Sequence, residues 1–206
     1  MTHFDRKKHW EDIYQSKKID EFSWFQPEPI VSLELIKQVG ISPSAKVIDI
    51  GGGDSLFVDH LIKLGFTSIA VLDISQTAID RAKNRVNQEN CLIKWINSDI
   101  TTFVSSEKYD LWHDRATFHF LIEEKEIENY MQLLKNNIKK DGIVVIGTFS
   151  ENGPKKCSGI EIKQYSENSM NQLFADGFQN IKFKTVQHIT PNGNSQNFIF
   201  GCFKKK

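Results

Sequence analysis

Short runs rich in β-forming residues alternate with stretches whose apolar residues fall at helical spacing, and this alternation is the strongest constraint on what the chain can fold into. The β-like runs are Lys46 to Ile50 (KVIDI), Ser68 to Asp73 (SIAVLD), Ile93 to Ser98 (IKWINS), Tyr109 to Arg115 (YDLWHDR) and Gly142 to Phe149 (GIVVIGTF). Between them, Leu56, Val58, Leu61, Ile62 and Leu64 share a helix face that Gly65 stops, and Ser75 is placed to cap a helix lined by Ala78, Ile79, Ala82 and Val86. Ile127, Tyr130, Met131, Leu134 and Ile138 form a third stripe, closed by the Asp141-Gly142 turn. Strands joined through helices of this length pair in parallel by right-handed crossovers, which predicts an open α/β sheet with helices on both faces.

The last forty residues break the pattern. A helix from about Ser166 to Asp176 precedes two strand-like segments, Asn180 to Ile189 and Gln196 to Phe203, joined by Pro191-Asn192-Gly193-Asn194. Gly and Asn tolerate positive φ, so this joint predicts an antiparallel hairpin. The 206 residues and 39% apolar composition suit one domain over 1–206, with an N-terminal helical lid segment over 1–45 and a core over 46–206.

The 26 Lys plus Arg cancel the 26 Asp plus Glu, so no long-range field gathers phosphate backbones or anionic lipid, and neither nucleic acid nor membrane is an expected partner. Cys91, Cys157 and Cys202 are odd in number and widely spaced, with no Cys/His cluster for a metal and no disulfide frame, which suits a reducing cytoplasm. The charged start MTHFDRKKHWEDIY lacks the apolar run of a signal peptide, and no apolar stretch is long enough to cross a bilayer.

Open α/β sheets bind ligands beyond the carboxyl ends of their strands, and the first such end reads VIDIGGGDS, residues 47–55. Gly51 and Gly53 let the backbone approach a ligand with no Cβ in the way, and the following helix offers unpaired N–H groups. Asp73 ends the second strand, where a carboxylate can accept both hydrogen bonds of a ribose diol, and Ile74 follows it. Asp99 closes N-S-D-I, placed to accept from an adenine amino group while Ile100 packs on the ring. Carboxylates at three successive strand ends, Asp49, Asp73 and Asp99, would repel a pyrophosphate but suit a cationic, hydroxyl-rich ligand, which points to a sulfonium.

These residues resemble the class I S-adenosylmethionine-dependent methyltransferase family. Its D-x-G-x-G-x-G motif is matched by Asp49 to Ser55, with Ser55 where the third Gly would stand, its ribose acid by Asp73 and its adenine acid by Asp99. The resemblance covers roughly residues 46–203 and implies a Rossmann-like sheet of seven strands, mostly parallel, with the antiparallel hairpin as the sixth and seventh. It also implies S-adenosylmethionine as cofactor and S-adenosylhomocysteine as product. Within the family the chain looks most like the branch of thiopurine and thiol or halide methyltransferases. Trp10 and then Trp24-Phe25-Gln26 are similar to that branch's paired Trp and its W-x-Q element, which closes over the cofactor; Pro27 and Pro29 mark a loop there. His113-Asp114-Arg115-Ala116 resembles the branch's W-D-R-G, with His113 for Trp and Ala116 for Gly.

The implied enzyme is a methyltransferase (EC 2.1.1.-) acting by in-line displacement on a small-molecule nucleophile, with a thiol among the candidates. The alternatives are a protein lysine methyltransferase and a cofactor-binding module without catalysis. Oligomeric state has no signal in the sequence. No Asp/Asn-Pro-Pro-Tyr/Phe follows the fourth strand, which disfavours nucleic-acid N-methylation. The catalytic candidates sit at that strand's end: His113 as cofactor contact or general base, Asp114, and Arg115 to orient a substrate carboxylate, each weighed against a purely structural role. His119 is read as packing, Lys155 and Lys156 as solvated. Cys157 and Tyr165 lie where substrate loops often sit, without diagnostic spacing.

Overall fold

A computed structural model describes residues 4–86 and 91–206. Helix α1 (Arg6–Ser16) starts at Asp5, whose side chain accepts from the Lys8 amide, and a 3-10 turn (Ile19–Glu21) leads to α2 (Ile30–Gln38). The alternating core follows as β1 (Lys46–Ile50), α3 (Phe57–Lys63), β2 (Ser68–Asp73), α4 (Gln76–Arg85), β3 (Leu92–Asn97) and β4 (Tyr109–Arg115). After a 3-10 turn at Phe118–Phe120 come α5 (Glu124–Asn137), β5 (Ile138–Phe149) and a small excursion, β6 (Lys156–Cys157) with β7 (Ile160–Glu161). Helix α6 (Glu167–Phe174), β8 (Phe178–Ile189) and β9 (Ser195–Lys205) end the chain.

The seven-stranded sheet runs β3-β2-β1-β4-β5-β9-β8, parallel from β3 to β5 and antiparallel through β9 and β8. It is the Rossmann-like, mostly parallel sheet with a C-terminal hairpin that the sequence implies. Alternate residues along each strand face opposite layers. Ile48, Ile50, Leu72, Trp112 and Ile146 pack against α5 and α6 through Tyr130, Leu134 and Phe174, while Val47, Val71, Leu111 and Val145 pack against α2 and α3 through Leu35, Phe57 and Leu61. Among the described residues no helix is long and apolar enough to cross a membrane.

The local signals act as expected at several boundaries. Ser75 caps α4 by accepting from the Ala78 amide, Ser166 caps α6, and Gly65 and Gly193 take positive φ. Three boundaries differ from the sequence reading. Ile138 caps α5 and already begins β5, pairing with Tyr109. Asp141 takes the left-handed conformation (φ 63°) inside that strand. The third strand stops at Asn97, so Asp99 lies in the loop beyond it. The β6–β7 hairpin follows the Gly153-Pro154 turn and was not expected.

Strand order reverses between β1 and β4. The carboxyl ends of these two strands, with those of β2, β3 and β5, therefore open a crevice on one edge of the sheet.

Candidate functional site

The crevice holds two adjoining cavities that share Tyr14, Trp24, Gly51 and Arg115. The main one encloses about 790 Å³, its mouth included, and runs from Asp73, Ile74, Asp99 and Ile100 at one end to Phe120, Phe149, Cys157, Gln196 and Phe198 at the other. The second lies beside the first loop and is bordered by Gln26, Asp49, Asp54, Ser55 and His113. Every candidate cofactor residue except Gly53 thus borders one cavity or the other.

Gly51 (φ 64°) and Gly53 (φ 51°) turn the chain from β1 toward α3 in a conformation that side chains disfavour. What crowds Gly51 is not empty ligand space but protein: a Cβ there would lie 1.7 Å from Thr117 Oγ1, whose hydroxyl donates to the Ile50 carbonyl. At Gly53 a Cβ would meet Tyr14 Oη at 2.6 Å and Asp73 Oδ2 at 3.1 Å. The bare backbone here lets Tyr14, from α1, reach the carboxylate of β2.

Asp73 is buried, and one oxygen, Oδ1, accepts from the Ser75 amide at 2.8 Å. Burial, reinforced by Asp54 and Asp49, pushes its carboxyl up to about 7. Asp99 is more committed: Oδ1 accepts from the amide and hydroxyl of Thr101, and Oδ2 keeps a long 3.5 Å contact to Arg6. Ile100 is buried beside it.

The end of β4 resolves the structural-or-functional choice for two residues. Asp114 is wholly engaged: Oδ1 accepts from the amides of Thr117 and Phe118, and Oδ2 from Tyr130 Oη at 2.7 Å. Burial raises its carboxyl to about 6, against the pull of those donors. It borders neither cavity, so the catalytic expectation for Asp114 gives way to a scaffold role, pinning the loop after β4 to α5. His113 has both ring nitrogens occupied, Nδ1 by Asp49 at 2.6 Å and Nε2 by Ser32 at 2.8 Å, and stacks on Phe57. An imidazole so held ties β4 to β1 and α2 and has no free nitrogen to act as a base.

Arg115 is different. Nη1 donates to the Trp24 carbonyl at 2.9 Å and the guanidinium lies 5.0 Å over the Phe198 ring, yet Nε and Nη2 touch neither solvent nor any partner. Burial lowers its pKa to about 10, which leaves it cationic at neutral pH. Ala116, next along, takes φ 69°, a left-handed conformation that glycine adopts without penalty.

Helix α1 and the Trp24 loop roof the crevice. Trp24 stacks on Phe22 at 4.6 Å and meets Trp10 edge-on, and Trp10 meets Phe120 from the 3-10 turn. Arg6 to Glu126 (2.9 Å) and Glu11, which accepts from the amide and hydroxyl of Thr77, fasten α1 across the strand ends. The sequence reading missed Tyr14, Thr117, Phe120, Phe149, Gln196 and Phe198 as lining residues. Tyr14 follows Trp10 at helical spacing, a signal that was available; Gln196 and Phe198 come from the hairpin and carry none. His119 is packing as expected: its Nδ1 accepts from the Phe149 amide and burial holds its pKa down at about 3. Tyr165 packs on Phe118 behind the wall, and Cys157 faces the main cavity as a thiol that burial pushes up to about 11.

Residues 47–142 match the family described as a methyltransferase domain. The matched segment runs from β1 into β5, just under half of the chain, and the fold is shared with methyltransferases of known structure. Among proteins similar to this chain is EEF1A lysine methyltransferase 2 of Danio rerio, 24% identical over 193 residues, 85% of this chain and 76% of that one. Malonyl-[acyl-carrier protein] O-methyltransferase 2 of Ilyobacter polytropus is 27% identical over 106 residues, 51% of this chain and 39% of its own length. In fold, the chain superposes on a SAM-dependent methyltransferase of Anabaena variabilis with a TM-score of 0.76 at 15% identity, covering 99% and 96% of the two chains. It superposes on the N-methyltransferase NodS of Bradyrhizobium japonicum, in complex with S-adenosylhomocysteine, with a TM-score of 0.73 at 15% identity, covering 98% and 99%.

The buried Asp73 carboxylate at the end of β2 and the elongated cavity that continues past it suit an adenosyl group with a cationic sulfur.

Proposed function

We propose that this protein is an S-adenosylmethionine-dependent methyltransferase that moves the cofactor's methyl group to a small-molecule nucleophile, and that it is nearest in kind to the thiopurine and thiol or halide branch. When bound, the cofactor supplies an electrophilic methyl: the acceptor's lone pair forms the new bond as the methyl–sulfur bond breaks and its electron pair stays on sulfur. In this reading Asp73 and Ile74 hold the ribose, Asp99 and Ile100 the adenine, and Asp49, Gly51, Gly53, Trp24 and Gln26 surround the methionine end. His113 and Asp114 act as positioning residues, and Arg115 faces the acceptor.

The observation that carries the reading is the aromatic roof. Trp10, Trp24, Phe120, Phe149 and Phe198 line the acceptor end with apolar surface, which suits a small, flat or apolar molecule. Alignment of nucleophile and methyl in such a box can supply on the order of 7–11 kcal/mol of the barrier without a dedicated acid or base. The neighbouring groups agree. Asp114 and His113 are fully engaged and His119 is neutral and packed, so the site favours an acceptor that arrives already deprotonated, such as a thiolate or carboxylate, over an ammonium that must lose a proton.

A second reading, methylation of a protein lysine, is favoured by the similarity to EEF1A lysine methyltransferase 2 over 85% of the chain. Incubation with methyl-labelled cofactor, a panel of thiols, carboxylates and amines, and in parallel a protein lysate separates the two. Label on a small acceptor is the expected result. Label on protein alone would put the second reading first, and bound cofactor with no transfer anywhere would favour a non-catalytic binding module.

A further inference from the structure

Ser32, His113 and Asp49 form a buried chain of hydrogen bonds across three elements. Ser32 lies in the first turn of α2, His113 near the end of β4 and Asp49 near the end of β1, and none is more than 3% exposed. His113 Nε2 is 2.8 Å from Ser32 Oγ, Nδ1 is 2.6 Å from Asp49 Oδ1, and the ring stacks on Phe57 with centroids 4.0 Å apart. The direction of each bond follows from counting protons. A proton on Nε2 would point at Ser32, whose own hydroxyl would then have to donate elsewhere, and among the described residues it makes no other hydrogen bond. A buried donor left unmade is costly, whether the ring is an imidazolium or the neutral Nε2–H form. The hydroxyl donating to a bare Nε2 leaves no donor unpaired. The ring then carries its one proton on Nδ1 and donates it to Asp49, which must be an ionised carboxylate to accept it.

From this we infer that Ser32 is a positioning residue: it fixes His113 in the Nδ1–H tautomer and so holds Asp49 as an anion at the wall of the second cavity. For its ligand the inference rests on the proposed methyltransferase reading, and it names how the charge of that site is set. Asp49 borders the cavity beside Gly51 and Gly52 and accepts no other hydrogen bond among the described residues; a Cβ on Gly52 would come within 2.5 Å of its Oδ2. Asp73 and Arg115 both feel its charge. In the proposed mode the cofactor's methionine end enters this cavity, and its ammonium is the cation that such a charge attracts. An imidazolium beside Asp49 would cancel that charge. Ser32 prevents it from outside the site, since it borders neither cavity.

The test is NMR of the full chain carrying isotope-labelled histidine, at neutral pH, free and with S-adenosylhomocysteine, with His113 assigned by its contact with the Phe57 ring. His113 should show a protonated Nδ1 and a bare Nε2, the reverse of His119, whose Nδ1 accepts from the Phe149 amide. Ser32→Thr keeps the hydroxyl and should preserve this pattern, whereas Ser32→Ala should lose it. In calorimetry Ser32→Ala should weaken S-adenosylhomocysteine by at least about threefold, the scale of one hydrogen bond, and leave methylthioadenosine, which lacks the amino-acid end, unchanged. A proton on Nε2 of His113 in the wild type would overturn the inference, and that result needs no variant to fold. So would a wild-type pattern in Ser32→Ala, or an equal loss for both ligands. Failure of the wild type to bind S-adenosylhomocysteine is a separate result: it removes the methyltransferase reading and leaves the spectrum to judge the tautomer.

Discussion

The two ends of the crevice are built by opposite means. The proposed cofactor end is acidic and local: Asp49 comes from the end of β1 and Gly51 and Gly53 from the loop after it, Asp73 and Ile74 from the next strand end, and Asp99 and Ile100 from the one after, each within a few residues of a predicted strand. The acceptor end is basic and assembled from afar. Trp10 comes from α1, Arg115 from β4, Phe149 from β5, Cys157 from the small hairpin and Phe198 from β9. At the first end carboxylates are held by backbone amides, Asp73 by Ser75 and Asp99 by Thr101, whereas at the second a guanidinium is left two donors short. A site that must bind one fixed ligand can be written in short motifs, and a site whose partner varies between relatives is written in whatever side chains the surrounding elements bring.

The sharpest way to break this contrast is at Gly51. A Cβ there collides with Thr117 Oγ1, and the residue sits in the left-handed region, so Gly51→Ala should cost about 2–5 kcal/mol of stability by overpacking and strain together. Denaturant unfolding measures it. Because the obstacle is Thr117 and not the ligand, adding Thr117→Ala should restore part of the loss, and a Gly51→Ala protein within 1 kcal/mol of wild type on the scale of ordinary surface changes would show that the cradle is not built this way.

Asp73 tests the acidic end directly. Asp73→Ala should remove the hydrogen bonds to a buried diol and weaken S-adenosylhomocysteine by about 1–3 kcal/mol in calorimetry. An unchanged dissociation constant would take Asp73 out of the site.

The same residue predicts a pH dependence. Its carboxyl titrates at about 7 in the free protein, and donors from a diol favour the ionised form, so binding must expel the proton whenever the pH lies below that value. Affinity should therefore be full above pH 8 and fall by about tenfold on going to pH 6, the loss set by one proton over the pH interval below the free pKa. Asp73→Asn should flatten the curve. The stability of the free protein runs the other way: a carboxyl raised on folding destabilises the native state as pH climbs from the unfolded value near 4 to about 7, after which the cost is constant.

The alternation of strands and helices, the cap at Ser75 and the hairpin turn at Gly193 were legible because each is a local choice enforced by periodicity or backbone chemistry. The residues proposed for the cofactor end come from the same local signals, and all but Gly53 border one of the two cavities. What the sequence could not disclose is register across the sheet. That Gly147 faces Phe200, placing Phe198 beside Phe149 at the mouth, depends on an antiparallel pairing of strands some fifty residues apart. Asp114 was indistinguishable from a functional acid until Tyr130, sixteen residues later on α5, came to donate to it. The motif His113-Asp114-Arg115 contains a tie, a scaffold anchor and an unpaired cation, and only tertiary contacts tell the three apart.

Ala116 sits where the two ends meet and gives the smallest and finest test. It holds φ 69° with its amide donating to the Gly147 carbonyl at 2.8 Å, and it borders the main cavity. The cofactor end meets its left-handed positions with Gly51 and Gly53, but here a methyl group is retained at a backbone cost of about 1–2 kcal/mol, offset in part by the lower chain entropy of alanine when unfolded. Ala116→Gly should therefore gain up to about 1 kcal/mol in denaturant unfolding, the balance of those two effects. If that gain comes with weaker binding of an acceptor probe and unchanged S-adenosylhomocysteine affinity, the methyl group belongs to the acceptor wall. A loss of stability instead would mean that the loop after β4 does not need the left-handed turn, and the boundary between the two ends would have to be drawn elsewhere.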